Sequence, residues 1–449
     1  MEGAVFVQGS GGNRSQENVA VMMALILAGG RGTRLKAITP HALPKPMVPV
    51  AGKPILQHQI EFLAKHRIRK VVLSVGYRAR PIKDFFGDGR RFGVSILYSE
   101  EKRPLGTAGA FKFAEPFLYG AGDVLVLYGD LIFDFDVARM FRFHRAHGGP
   151  GTILVHPNDH PGDSDLLEAD REHRITRFIP KPHQSERRYR NLVNAGIYLL
   201  KPGLLKDLPG GRALDFGRDV FPAWVKRGVN IYAYKTPEYV KDAGSVTRHR
   251  QVEADLIRGK VRCRNLTRKQ KAVFLEDEVL LKGTLRPGRL KLINAAAAAV
   301  GKLNQSDFLS IGMISRFAAG VGAPRPRRVL DVLLGEQGAF LDETYDVSDF
   351  LESHVKSGIN KRNGSSGALI LKHALSAFNI EGKKSFWMGH RADGISAAVN
   401  AGLKTILVGE GGARDSGKCF REPDFIFENL EEAVDFILRT AEAEARIRF

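Results

Sequence analysis

The segment 25–54, LILAGGRGTRLKAITPHALPKPMVPVAGKP, constrains this chain more than any other stretch. A short apolar strand over Ala24–Ala28 empties into a glycine-rich turn, Gly29, Gly30, Gly32 and Thr33, which also carries Arg31 and Arg34. Lys45 follows between two prolines. Glycine lets backbone N–H groups approach an anion closely, and arginine forks onto phosphate oxygens. The segment therefore reads as a phosphate-holding loop at the end of a strand in an α/β sheet. It is not a P-loop, since no Gly-Lys-Ser/Thr closes it, and it lacks the Gly-x-Gly-x-x-Gly spacing of dinucleotide folds.

The rest of residues 23–245 keeps the α/β rhythm. Strands are expected at 24–28, 70–75, 94–98, 124–128, 152–156 and 195–200, and helices at 54–66, 107–114, 137–147 and 219–226. Such alternation predicts a Rossmann-like, mixed but mostly parallel sheet with helices on both faces, and ligands outside the carboxyl ends of its strands. A helix over 245–258 and a basic connector, Arg258, Lys260, Arg262, Arg264, Arg268, Lys269 and Lys271, make a linker over 246–270. A run of like charges is expected to be a solvated face. A second Rossmann-like α/β domain then spans 271–449. Its strands are expected at 272–275, 308–313, 385–388 and 405–408, and its helices at 289–300, 367–378, 394–401 and 430–441. Two domains suit 449 residues.

Gly-Gly-x-Gly-Thr-Arg-Leu with a downstream Pro-Lys-Pro resembles the signature of nucleotidyltransferases that join a nucleoside triphosphate to a sugar 1-phosphate. Five further segments extend the resemblance over about residues 23–250. They are EKRPLGTAGA (101–110), Gly129-Asp130, Phe178-Ile179-Pro180-Lys181-Pro182, Asn194-Ala195-Gly196-Ile197-Tyr198 and Tyr239–Gly244. The resemblance implies attack by a sugar phosphate oxygen on the α-phosphorus, with pyrophosphate leaving. The nucleophile is already an anion, so the protein must assemble polyanions and neutralise charge rather than supply a base. Arg34, Lys45 and Asp130 are the implied catalytic groups. Leu27, Ala28, Gly29, Gly30, Gly32, Thr33, Arg34, Gly106, Thr107 and Gly109 would bind the NTP. Lys181, Asn194 and Gly196 would hold the sugar phosphate, and Asp130 with Asp242 would hold Mg²⁺, a hard cation served by one or two carboxylates. Pro180 stands before Lys181 where the family has glutamate, which bears on sugar preference. Similar proteins suggest GTP with a heptose or mannose 1-phosphate, for cell-surface polysaccharide synthesis.

The second domain resembles haloacid-dehalogenase-type phosphatases of the heptose bisphosphate kind, with its chemistry altered. Glu276 and Glu278 stand at the two aspartate positions of the nucleophile motif, with Asp277 between them, and His390 stands at a metal-binding aspartate. The second motif ends in Met313-Ile314, with Ser315 one step on, and the lysine motif survives as Lys361 or Arg362. No Cys/His zinc loop exists. The expectation is a phosphatase-inactive domain. Two alternatives stay open: a bifunctional enzyme that still dephosphorylates a heptose bisphosphate, and a non-catalytic sugar-nucleotide sensor.

Composition narrows the partners. The formal charge of +19 invites a nucleic-acid reading, but no nucleic-acid motif occurs and aromatics do not interleave with the basic runs. Two cysteines, Cys263 and Cys419, exclude a disulfide framework and suit a cytoplasmic protein. The apolar run at 294–300 is far too short for a bilayer, so no membrane insertion is expected. Residues 1–22 read as a disordered leader, with Met22 or Met23 a candidate start, and a homo-oligomer is compatible with the composition.

Overall fold

The computed structural model describes residues 22–30, 43–183, 189–283, 290–314, 326–347, 349–350, 366–390, 392–409 and 421–446. Arg31, Gly32, Thr33, Arg34, Ser315, Lys361, Arg362 and Cys419 lie outside them.

The strand Met23–Leu27 is apolar throughout and buried along nearly its whole length, as a central parallel strand should be. It pairs in parallel with Lys70–Val75 on one side and Val124–Tyr128 on the other. The path through the nine-stranded sheet runs Ile175–Ile179, Leu166–Ala169, Val193–Leu200, Val124–Tyr128, Met23–Leu27, Lys70–Val75, Ser95–Glu100. Gly151–His156 pairs with Val193–Leu200 and with Ile231–Lys235 off that path. The sheet is mixed, because Val193–Leu200 runs antiparallel to Val124–Tyr128.

Period-two alternation builds a core on each face. Ala24 and Ile26 pack with Leu56, Ile60 and Met140 from the helices Ile55–Lys65 and Val137–His147. Met23 and Leu25 pack with Phe111 and Trp224 from the helices Gly106–Phe113 and Phe221–Lys226. Asp136 caps Val137–His147 by accepting the Arg139 N–H at 2.9 Å.

The six strands of the second large sheet are all parallel. Their spatial order is Glu343–Asp346, Phe308–Ile314, Lys271–Glu276, Phe386–Gly389, Lys404–Val408, Phe425–Phe427. In chain order that is 3-2-1-4-5-6, the doubly wound arrangement whose crevice lies between strands one and four. One expected helix shifts: residues 291–292 are a short strand paired with Leu281–Lys282, and the helix is Ala296–Gln305. The alanines that suggested an early start begin the helix only after Ala295, which sits at φ 64°.

Buried polar contacts join the two sheets. Lys235 donates to Glu343 Oε1 at 2.8 Å, which Arg327 also reaches at 2.7 Å. Arg139 donates to the Ala377 carbonyl at 2.6 Å. Glu238 is buried and accepts from the Asp136 and Leu266 N–H groups, tying the first domain to the linker. Burial pushes its carboxyl up to about 7, against the pull of those N–H groups.

Candidate active site

The first sheet reverses its strand order between Met23–Leu27 and Val124–Tyr128, and the candidate residues gather at the carboxyl ends of these strands. A methyl placed on Gly129 would lie 2.8 Å from the Leu27 carbonyl oxygen. Only glycine lets the two strand ends come this close, and the approach presents Asp130 next to the Ala28–Gly30 turn. Asp130 forms an ion pair with Lys45, which the Lys45–Met47 turn holds between Pro44 and Pro46.

Asp242 arrives from 112 positions away by strand pairing. Tyr239–Asp242 runs antiparallel to Leu131–Asp134 with Asp242 opposite Leu131, and the Ala243 N–H donates to the Asp130 carbonyl at 2.9 Å. A methyl on Gly244 would lie 2.5 Å from Asp242 Oδ1 and 3.0 Å from Lys45 Nζ, so both groups share the space above that glycine. Burial raises the Asp242 carboxyl, but the Arg248 guanidinium, the Gly244 N–H and Lys45 outweigh it and hold it below the usual carboxylate range. Arg248 Nη1 lies 2.6 Å from Asp242 and its Nη2 3.1 Å from Asp163.

Lys181 joins the same network. Its ammonium donates to the Asp163 carbonyl at 2.8 Å, and its N–H donates to Asp165 Oδ1 at 3.1 Å. Asn194 Oδ1 accepts the Gly196 N–H at 3.1 Å, and Gly196, at φ 73°, sits against the Tyr128 ring. Asp130, Asp242, Lys181, Asn194, Gly196 and Tyr128 all line one cavity of about 430 Å³.

The 101–110 loop is held by contacts within the chain. Methyls on Gly106 and Gly109 would lie 2.4 Å from the Leu214 carbonyl oxygen and 2.6 Å from that of Arg212, so these glycines admit neighbouring backbone. Thr107 does not cap its helix; its hydroxyl donates to Asp215 and accepts the Phe216 N–H, both at 2.8 Å. Glu101, absent from the sequence-derived set, holds this loop near Gly29. Its carboxylate accepts from Ser74 Oγ at 2.8 Å and the Leu105 N–H at 3.0 Å, and a methyl on Gly29 would lie 3.6 Å from it. Its place beside Pro-Leu-Gly was the available signal. Arg248 was also missed, although it lies six residues after Asp242.

At the crevice of the second sheet, the Glu276 and Trp387 side chains lie against two glycines. Methyls on Gly389 and Gly394 would lie 2.5 and 2.6 Å from the Glu276 carboxylate, and both would strike the Trp387 ring. His390 Nδ1 is 2.8 Å from the Val408 carbonyl.

The arrangement at the first sheet, cations and carboxylates converging on a glycine-rich strand end, defines a phosphate-handling α/β protein. A family model described as nucleotidyl transferase matches residues 23–258. UTP–glucose-1-phosphate uridylyltransferase of Synechocystis sp. is 32% identical over 335 residues, covering 72% of this chain and 82% of that protein. The mannose-1-phosphate guanylyltransferase catalytic subunit beta of Drosophila pseudoobscura pseudoobscura is 37% identical over 223 residues, 49% of this chain; the chain spans only 58% of that relative. The crystal structure of HddC from Yersinia pseudotuberculosis is 27% identical, with a TM-score of 0.45, covering 52% of this chain and 98% of that one. The chain belongs to the nucleotidyl transferase family and is an enzyme of that transferase class. Among the described residues no helix is long and apolar enough to cross a membrane.

Proposed function

We propose that the chain transfers a nucleotidyl group from an NTP to a sugar 1-phosphate. The observation that carries this reading is the convergence of Asp130 and Asp242 in one cavity with Lys181 and Asn194, with Lys45 paired to Asp130 beside the glycine-rich strand end. An oxygen of the sugar phosphate forms a bond to the α-phosphorus, the α–β bridging bond breaks, and pyrophosphate leaves with the electron pair. No proton need be taken. Lys45, with Arg34 from the adjoining loop, neutralises the phosphates, and Lys181 and Asn194 orient the acceptor.

Two carboxylates, Asp242 at the end of its strand and Asp130 in the turn just before the paired strand Leu131–Asp134, fit a divalent hard cation such as Mg²⁺, which keeps most of its shell for phosphate and water. Asp130 and Asp242 would hold it, and it would supply charge neutralisation at the reacting phosphates.

GTP with a heptose or mannose 1-phosphate is the favoured pair, supported by the guanylyltransferases among the relatives. The second domain is read as a phosphatase-like fold without phosphatase chemistry, supported by Glu276 lying in its own crevice. Purified protein, Mg²⁺ and a grid of NTPs against sugar 1-phosphates, followed by pyrophosphate release, tests the reading. Release with GTP and one of these acceptors is expected. Silence across the grid overturns it.

A further inference from the structure

The cavity does not end at the sugar-phosphate residues. The helix Val246–Ile257 carries it onward, with Arg248, Gln251 and Asp255 on one lining face. At 1.5 Å rise per residue these span about 10 Å. At the far end Lys260 and Arg264 meet Asn304 and Asp342 of the second domain. The basic connector, expected to be solvated, therefore turns part of its charge inward. Arg264 is 4% exposed.

Two cations at this end face two carboxylates, but their hydrogen bonds are unevenly shared. Arg264 binds Asp342 Oδ1 at 2.9 Å and the Phe308 carbonyl at 2.8 Å, and its Nε is buried with no partner among the described residues. Asp255 is engaged by the Tyr239 hydroxyl and by Gln251. The hydrogen bond of Lys260 goes to the neutral Asn304 carbonyl at 2.6 Å. A carbonyl satisfies one of three ammonium donors. Burial, with Arg264 nearby, pulls Lys260 down to about 8, although Asp255 and Asp342 pull the other way. Space is available too: a methyl on Gly301, in the helix Ala296–Gln305 beside Asn304, would meet nothing within 4 Å.

The geometry points to a second anion subsite at the Lys260–Arg264 end of the cavity, closed by the second domain, which takes a compact phosphate or carboxylate group of a small metabolite. The group belongs either to an independent effector or to a sugar phosphate that carries a second anionic group remote from its 1-phosphate. Either role gives the second domain a purpose that needs no phosphatase chemistry.

Calorimetric titration of the full chain with inorganic phosphate tests this without requiring turnover, so an inactive enzyme would sink the transferase reading and leave this result standing. Lys260→Met and Gly301→Leu, the latter filling the space rather than removing a charge, are each expected to weaken one class of phosphate sites about tenfold or more. Repeating the titration with a saturating heptose 1,7-bisphosphate, whose second phosphate lies remote from the first, separates the sources, this arm resting on the acceptor reading above. A surviving Lys260-dependent site supports an effector; its loss supports the remote group of the sugar phosphate. Titrations of both variants that match the unmodified chain in number and affinity of sites overturn the subsite.

Discussion

The two sheets of this chain pose the same structural problem and solve it in opposite ways. Each has a crevice where strand order reverses. In the first, glycine brings backbone against backbone at Gly129, and Asp130, which pairs with Lys45, faces a cavity together with Asp242. In the second, Gly389 and Gly394 make room for side chains of the protein itself, the Glu276 carboxylate and the Trp387 ring. Glycines at a strand end are thus no sign of a ligand by themselves. What distinguishes the sites is whether the freed space is left open or is occupied by the chain.

The contrast breaks most easily at Asp130. Asp130→Ala is expected to lower kcat/KM for pyrophosphate release by roughly 100- to 1000-fold, the scale of losing one preorganised charge at a reacting phosphate. Gly129→Ala should cost about 10- to 100-fold, because its methyl must displace the end of Met23–Leu27 and carry Asp130 with it. Undiminished activity in either would remove that residue from the account.

Docking of the second domain comes next in size. Glu343→Ala takes the shared carboxylate from the half-buried Lys235 and Arg327, and chemical denaturation is expected to show a loss of about 2 kcal/mol. Glu238 gives a smaller, pH-dependent effect. Its folded carboxyl is raised to about 7 from an ordinary 4.5, so the folded state holds its proton longer than the unfolded one. The stability it confers is full below about 4.5 and lost as pH rises toward 7. Glu238→Gln should flatten that fall across the same window. The smallest expected effect is the most diagnostic: Glu276→Ala, in the second crevice, should leave pyrophosphate release within about twofold, as a change remote from the transfer site.

Much of this was legible in the residues. The apolar runs at 23–27, 70–75 and 124–128 could only be buried strands, and Gly29, Gly30, Lys45 and Asp130 stood in a recognisable order. Leu166–Ala169 was missed because it is short and mixed, and Ile231–Lys235 because its parallel partner, Gly151–His156, lies far back along the chain. The inward turn of Lys260 and Arg264 was hidden for a related reason. A run of cations shows its charge, but the carboxylate that draws it inward, Asp342, lies 78 positions beyond Arg264. Gly106 and Gly109 carried a true signal of close approach, while the approaching group, the 212–214 backbone, was beyond the reach of local pattern.

The central claim is that the chemistry of this chain sits at the first crevice alone. Its most direct test follows pyrophosphate and inorganic phosphate side by side, with NTP, Mg²⁺, a heptose or mannose 1-phosphate and a heptose bisphosphate, for the unmodified chain, Asp130→Ala and Glu276→Ala. The account predicts pyrophosphate release that Asp130→Ala abolishes and Glu276→Ala spares, with no phosphate released from the bisphosphate by any of the three. Phosphate release that survives Asp130→Ala and disappears in Glu276→Ala would contradict it and place a second working site in the second sheet.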